Sequence, residues 1–199
     1  MSEIILGSPS QVQTVKRANA LWAILQADPR FAFQGRTVSV AFDQDNASEL
    51  AISLSRLQGY ASCHFVDRQN AQNFSDAYKA AGLNPQIWEQ FWGRDSALMQ
   101  SHSFLQDFRA PRGLKLLPVT PVTSDETISR ICEMSLGAGV LPAPGSVMRG
   151  QGLRTHFAYV EASDGQIVAA GGACMAYHAD SPKADVSVVR VFGTKSVRT

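Results

Sequence analysis

The chain has 199 residues, 45% apolar and 18% charged, a globular composition with room for one larger domain or two small ones. Its formal net charge is +1, and Lys16, Arg17, Arg109, Arg112, Arg149 and Arg154 are scattered, which argues against a nucleic-acid surface and reads as solvated charge. No apolar run approaches the roughly 20 residues of a membrane span.

Ser10 is placed to cap a first helix carrying Val12, Val15, Ala18, Leu21, Trp22 and Leu25 at helical spacing, with Asp28-Pro29 ending it. Thr37 to Phe42, rich in β-branched residues, predicts a strand. Glu49, Leu50, Ile52, Leu54 and Leu57 predict a helix closed at Gly59, and Tyr60 to Val66 a second strand. Asn70 to Gly82 reads as a helix with glycine past its C-terminus. Asn84-Pro85 then signals another, carrying Ile87, Trp88, Phe91 and Trp92. Phe108 to Gly113, broken by proline and glycine, is the expected linker, so residues 1–110 form a small αβ accessory domain.

Beyond the linker, Leu114 to Val119 predicts a strand. Thr123 to Glu126 has capping-box spacing and opens a helix through Ile128, Ile131, Cys132 and Leu136, ended by Gly137 and Gly139. Residues 139–152 read as a loop. Its Arg149-Gly150-Gln151-Gly152 has the composition of a pyrophosphate cradle. Such a cradle leaves a strand and enters a helix, whereas this run follows a proline-rich loop and precedes a strand, so a structural turn is expected. Thr155 to Ala162 alternates as a strand, Ser163-Asp164-Gly165 is a hairpin turn, and Gln166 to His178 returns as the second arm. Ala179 to Ala184 is a turn before a last strand, Asp185 to Thr194. The fold class is mixed α/β (α+β).

From Leu114 onward, strand, helix, loop, hairpin and strand resemble in their order the GNAT superfamily of N-acetyltransferases. Glu161 to Met175, "EASDGQIVAAGGACM", is similar to that family's acidic turn followed by Ile/Val-Val-Ala-Ala/Gly, and "FGTKSVRT" to the exit of its fourth strand. The resemblance implies an acetyl-CoA-dependent N-acetyltransferase acting on a small-molecule or peptide amine, without a metal. It places backbone groups of Val191, Phe192 and Gly193 along the acetyl and pantetheine arm, and Thr194 and Arg198 toward the pyrophosphate. Glu161, His178 and Asp185 are the neighbouring candidates for a general base. The family's pyrophosphate loop would begin at the last residues of the sequence, so residues 114–199 are expected to be a partial, truncated GNAT-like domain. The alternative function is a non-catalytic binding module keeping a degenerate half of that fold.

Other chemistry is sparse. Cys63, Cys132 and Cys174 form no Cys-x-x-Cys pair and read as buried reduced thiols. With no basic and apolar leader after Met1, a cytoplasmic location is expected. Asp43-Gln44-Asp45 reads as a solvated loop, and His64 and His102 lack the spaced partners of metal ligands. Tyr159 and Tyr177 could shape an acceptor pocket, though hairpin core or surface is the commoner role of such residues. A final strand without a neighbour would leave an open edge for homodimerisation.

Overall fold

The structure, a computed structural model, describes residues 3–89 and 95–193. Helix α1 spans Pro9–Leu25. Its cap is Ser8 rather than Ser10, because Pro9 occupies the first helical turn, where its missing N–H costs nothing. The Ser8 hydroxyl accepts from the Gln11 N–H, and the Gln11 side chain accepts from the Ser8 N–H at 2.8 Å, a complete capping box.

Strands β1 (Phe31–Phe33) and β2 (Val38–Val40) form an antiparallel hairpin. The expected strand at 37–42 thus shortens to its central residues, and its partner β1 is too short to announce itself by alternation. One face of the hairpin presents Phe31, Phe33, Val38 and Val40 to Ala18 of α1 and to Ala47, Ala51 and Leu54 of α2 (Ala47–Gln58). Trp22 stacks on Phe33 with ring centroids 5.2 Å apart. The free side of β2 is closed partly by an amide: buried Gln58 accepts from the Val38 N–H at 3.0 Å and donates to its carbonyl at 2.6 Å.

The strand expected over 60–66 reduces to one parallel bridge between Val40 and Cys63, with Val40 N–H donating to Ser62 and His64 N–H to Val40. Helix α3 is Ala71–Ala80. No helix forms between Asn84 and Glu89. Ile87 and Trp88 are exposed there, so the apolar spacing has no core to pack against. Phe91 and Trp92 lie outside the described residues. Helix α4, Asp95–Asp107, is a further element that the sequence pattern did not indicate.

The second half is built on one antiparallel sheet ordered β3-β4-β5-β6, with β3 Leu114–Val119, β4 Thr155–Ala162, β5 Ile167–Met175 and β6 Ser187–Gly193. Between β3 and β4 lie α5 (Asp125–Gly137) and the single turn α6 (Gly145–Met148), the latter inside the expected loop. Ser124, not Thr123, caps α5 by accepting from the Thr127 N–H at 3.1 Å. The cap therefore sits one residue later than the expected box, leaving Asp125 and Glu126 to face the positive helix end.

Register Phe157↔Gly172 and Tyr159↔Ala170 places these residues on the sheet face covered by α5. Ile128, Ile131, Cys132 and Met134 complete that core with Met148 of α6 and Ile167. Phe157 lies directly over Gly172, where no larger residue would fit. The two halves meet along a continuous backbone contact: Phe33 N–H donates to Ala176, and Ala32 bridges Tyr177. Ile4 and Leu6, ahead of α1, pack into the second core. The whole is a mixed α/β protein. Among the described residues, no helix is long and apolar enough to cross a membrane.

Candidate functional site

Sheet register sorts the expected site residues into two groups. Glu161 is half-buried near the end of β4, opposite Lys115 on β3 and Ile167 on β5. Gly193 closes β6 opposite Ala169, and Phe192 and Val191 pair with Ala170 and Gly171. With strands about 4.8 Å apart and Gly193 offset by two residues along β5 from the level of Glu161, Glu161 and the end of β6 are separated by roughly 12 Å. They share one end of the sheet.

His178 and Asp185 belong to the other end. His178 follows β5, its Nδ1 accepting from the Asp180 N–H at 3.1 Å and lying 3.7 Å from the Asp180 carboxylate. Asp185 is exposed in the turn before β6. At about 3.4 Å per residue, the length of β5 keeps this end some 25 Å or more from Glu161. The three candidate bases therefore do not converge. Thr194 and Arg198 lie outside the described residues.

At the Glu161 end, α5 and the β4–β5 turn enclose an open cleft of about 610 Å³, lined by Arg130, Glu133 and Met134 and by residues Asp164 to Ile167. Arg130 donates to the Gly165 carbonyl and ties helix to turn. The Asp164 carboxylate accepts from the Gln166 N–H at 2.9 Å and holds the turn's shape. Met134 and Ile167 form an apolar floor continuous with the core. Glu133 is exposed at the rim, and Glu161 stands opposite the floor residue Ile167. The lining sets two carboxylates, Glu133 and Asp164, against one cation, Arg130, above an apolar floor, and this net negative balance suits a ligand with an aliphatic body and an ammonium group. Arg130 and Glu133 were missed in the sequence because only the α5-to-turn packing brings them beside Asp164.

Arg149-Gly150-Gln151-Gly152 is the turn its position implied, and it carries a feature the sequence did not show. Arg149, expected among the solvated charges, is 8% exposed. Its Nε donates to the Thr123 carbonyl at 3.0 Å, and Nη2 donates to Asp125 Oδ1 at 2.6 Å. The guanidinium thus fastens the α6 turn to the start of α5, while Gly150 and Gly152 take the positive φ angles that bend the chain toward β4. Its Nε and Nη2 are thereby engaged within the protein, in bonds that hold the turn.

A second polar cluster joins the halves. Alternation along β1, β2 and residues 62–64 puts Gln34, Ser39, Ser62 and His64 on the face of the small sheet away from α1 and α2. His64, 4% exposed, lies with Nδ1 2.9 Å from the Tyr177 hydroxyl. Its Nε2 is 3.2 Å from the Ser62 hydroxyl and 3.3 Å from the Gln34 amide nitrogen, and Ser62 meets Ser39 at 2.7 Å. Tyr177, 9% exposed, is a core residue that also tethers the two halves.

Of the three thiols expected to be buried, only Cys132 is; Cys63 and Cys174 are half-buried, at the margins of their cores. Burial, reinforced by the Asp43 charge, pushes Cys63 up to about 12. Burial, with Glu133 and Glu3 nearby, does the same for Cys132, also to about 12. Among the described residues, no group of His, Cys, Asp and Glu is arranged to hold a metal ion. Compared with known proteins, the chain matches no family model, and no curated protein or solved structure is significantly similar to it.

Proposed function

We propose that this protein is an acetyl-CoA-dependent N-acetyltransferase acting in the cytoplasm on a cationic amine. The observation that carries the proposal is the order of the second half, β3-α5-α6-β4-β5-β6, with the strands in that sequence in one antiparallel sheet. Apart from the single turn α6, this order supports the resemblance, which implies a strand, a helix and a three-stranded meander within residues 114–199. The outer side of β6 has no partner strand among the described residues. Its backbone groups near Val191, Phe192 and Gly193 can therefore pair with the amides of a pantetheine arm, as an extended peptide pairs with a sheet edge.

Acetyl-CoA supplies the thioester. The chain's own contribution is to hold it and to receive the amine. Glu133 and Asp164 attract an ammonium over the Met134 and Ile167 floor. Glu161, roughly 12 Å from the end of β6, can take the proton of an amine seated between them, directly or through one water. The neutral amine then attacks the carbonyl, the C–S bond breaks, and CoA leaves as a thiolate that gains a proton.

Calorimetric titration of the chain with acetyl-CoA, followed by measurement of free CoA thiol with a panel of aliphatic amines and diamines, tests this. Expected are saturable binding and amine-dependent thiol release. Glu161→Gln should lower kcat about tenfold or more without changing acetyl-CoA affinity. No binding at roughly 1 mM acetyl-CoA would overturn the proposal and favour a non-catalytic module.

A further inference from the structure

Two apolar surfaces of this chain lack a counterpart among the described residues. The first is the face of the four-stranded sheet turned away from α5. Register places Leu116 and Pro118 of β3, Ala158 and Val160 of β4, and Ala169 and Gly171 of β5 on that face. Leu116 is 52% exposed, and none of these residues enters a buried apolar cluster. The small side chains of β4 and β5 make a shallow bed able to receive bulky groups.

The second surface is α4, which makes no extended contact with another helix or strand among the described residues. Phe104 and Leu105 are 65% and 63% exposed, and Phe108, just past the helix, is 37% exposed. Phe104 and Phe108 meet with ring centroids 5.6 Å apart. At 100° per residue the three share one side of the helix.

We infer that a second copy of this chain covers both surfaces, each protomer laying the Phe104–Leu105–Phe108 side of α4 on the open β3–β4–β5 face of the other. The match is of shape and area. Taking an aromatic side chain as about 220 Å², the exposed parts of these residues offer roughly 350 Å² per helix. The receiving sheet loses a similar area, so two reciprocal contacts bury about 1,400 Å², within the range of stable dimers. One helix contact alone would bury about half that, the size of an adventitious encounter. A two-fold arrangement is closed and leaves neither surface over. Pairing through the β3 edge is disfavoured, because Lys115 and Pro118 interrupt it.

Sedimentation velocity of the full chain over about 1–100 μM is the test, with a dimer of low-micromolar dissociation constant or tighter expected. Phe104→Glu and Ala158→Lys should each yield a monomer with an unchanged circular dichroism spectrum. Mixed together, those two variants should recover a dimer: one contact in the mixed pair is unmodified, and the other sets glutamate against lysine. A monomeric parent chain, a dimer insensitive to both substitutions, or variants that stay monomeric when mixed would overturn the inference.

Discussion

Replacing Arg149 with alanine removes a buried guanidinium that donates to the Thr123 carbonyl at 3.0 Å and to Asp125 at 2.6 Å. The two bonds differ in worth. Asp125 is 54% exposed, so its carboxylate regains water when the arginine goes and contributes about 1 kcal/mol. The Thr123 carbonyl and the space vacated by the arginine stem account for about 2 kcal/mol more. For a chain of this size, with a urea m-value of about 2.5 kcal/mol/M, the midpoint should fall by about 1.2 M. Arg149→Lys keeps charge and stem but loses the fork, and should recover about half of that. Asp125→Asn should shift the midpoint by less than about 0.4 M. The assay is equilibrium urea unfolding followed by far-ultraviolet circular dichroism, with intrinsic tryptophan fluorescence as a second probe. An Arg149→Ala midpoint within about 0.2 M of the parent would refute the clasp and return Arg149 to the solvated charges.

Gly172→Ala should destabilise by about 2–3 kcal/mol, because the added Cβ meets Phe157 and lies 2.8 Å from the His156 carbonyl; thermal unfolding measures it, and pairing with Phe157→Leu should recover part of the loss. His64→Ala and Tyr177→Phe should be less than additive, with a coupling of about 1 kcal/mol or more in a double-mutant cycle, since the two side chains share the 2.9 Å contact. Cys63 and Cys132 should resist iodoacetamide at pH 8 in the folded chain and react once it is unfolded, as followed by mass spectrometry. Their lowered acidities also set a sign for stability. The unfolded thiols ionise from about pH 8.5 while the folded ones hold their protons to about 12, so both contribute fully below pH 8. Stability should decline as pH rises through 9 to 11, and Cys132→Ser or Cys63→Ser should flatten that slope in urea titrations.

Local chemistry alone determined much of the second half. Leu114 to Val119 was legible as a strand from its apolar content, β4 from alternation, and the β4–β5 turn from Asp164-Gly165. Helix α5 was legible from the spacing of Ile128, Ile131 and Cys132, which all lie in its buried stripe. These signals sit within a few residues, where backbone preference and periodic burial act together. The Arg149 loop was also placed correctly as a turn, because a phosphate cradle requires flanking elements that sequence order already denied it.

Tertiary structure decided what depended on distant partners. The helix signal at Asn84-Pro85 did not yield a helix up to Glu89, since Ile87 and Trp88 find no core, and β1 exists because β2 and Ala176 supply its hydrogen bonds. Arg149 became a buried clasp only when α6 folded against the start of α5. Whether Glu161, His178 and Asp185 could act together was equally invisible in the sequence. Strand register answers it, placing Glu161 beside the α5 cleft and the end of β6, with His178 and Asp185 a full strand length away. Residue type and spacing determine which elements form, while the site depends on which ends those elements share, and that is a property of packing alone.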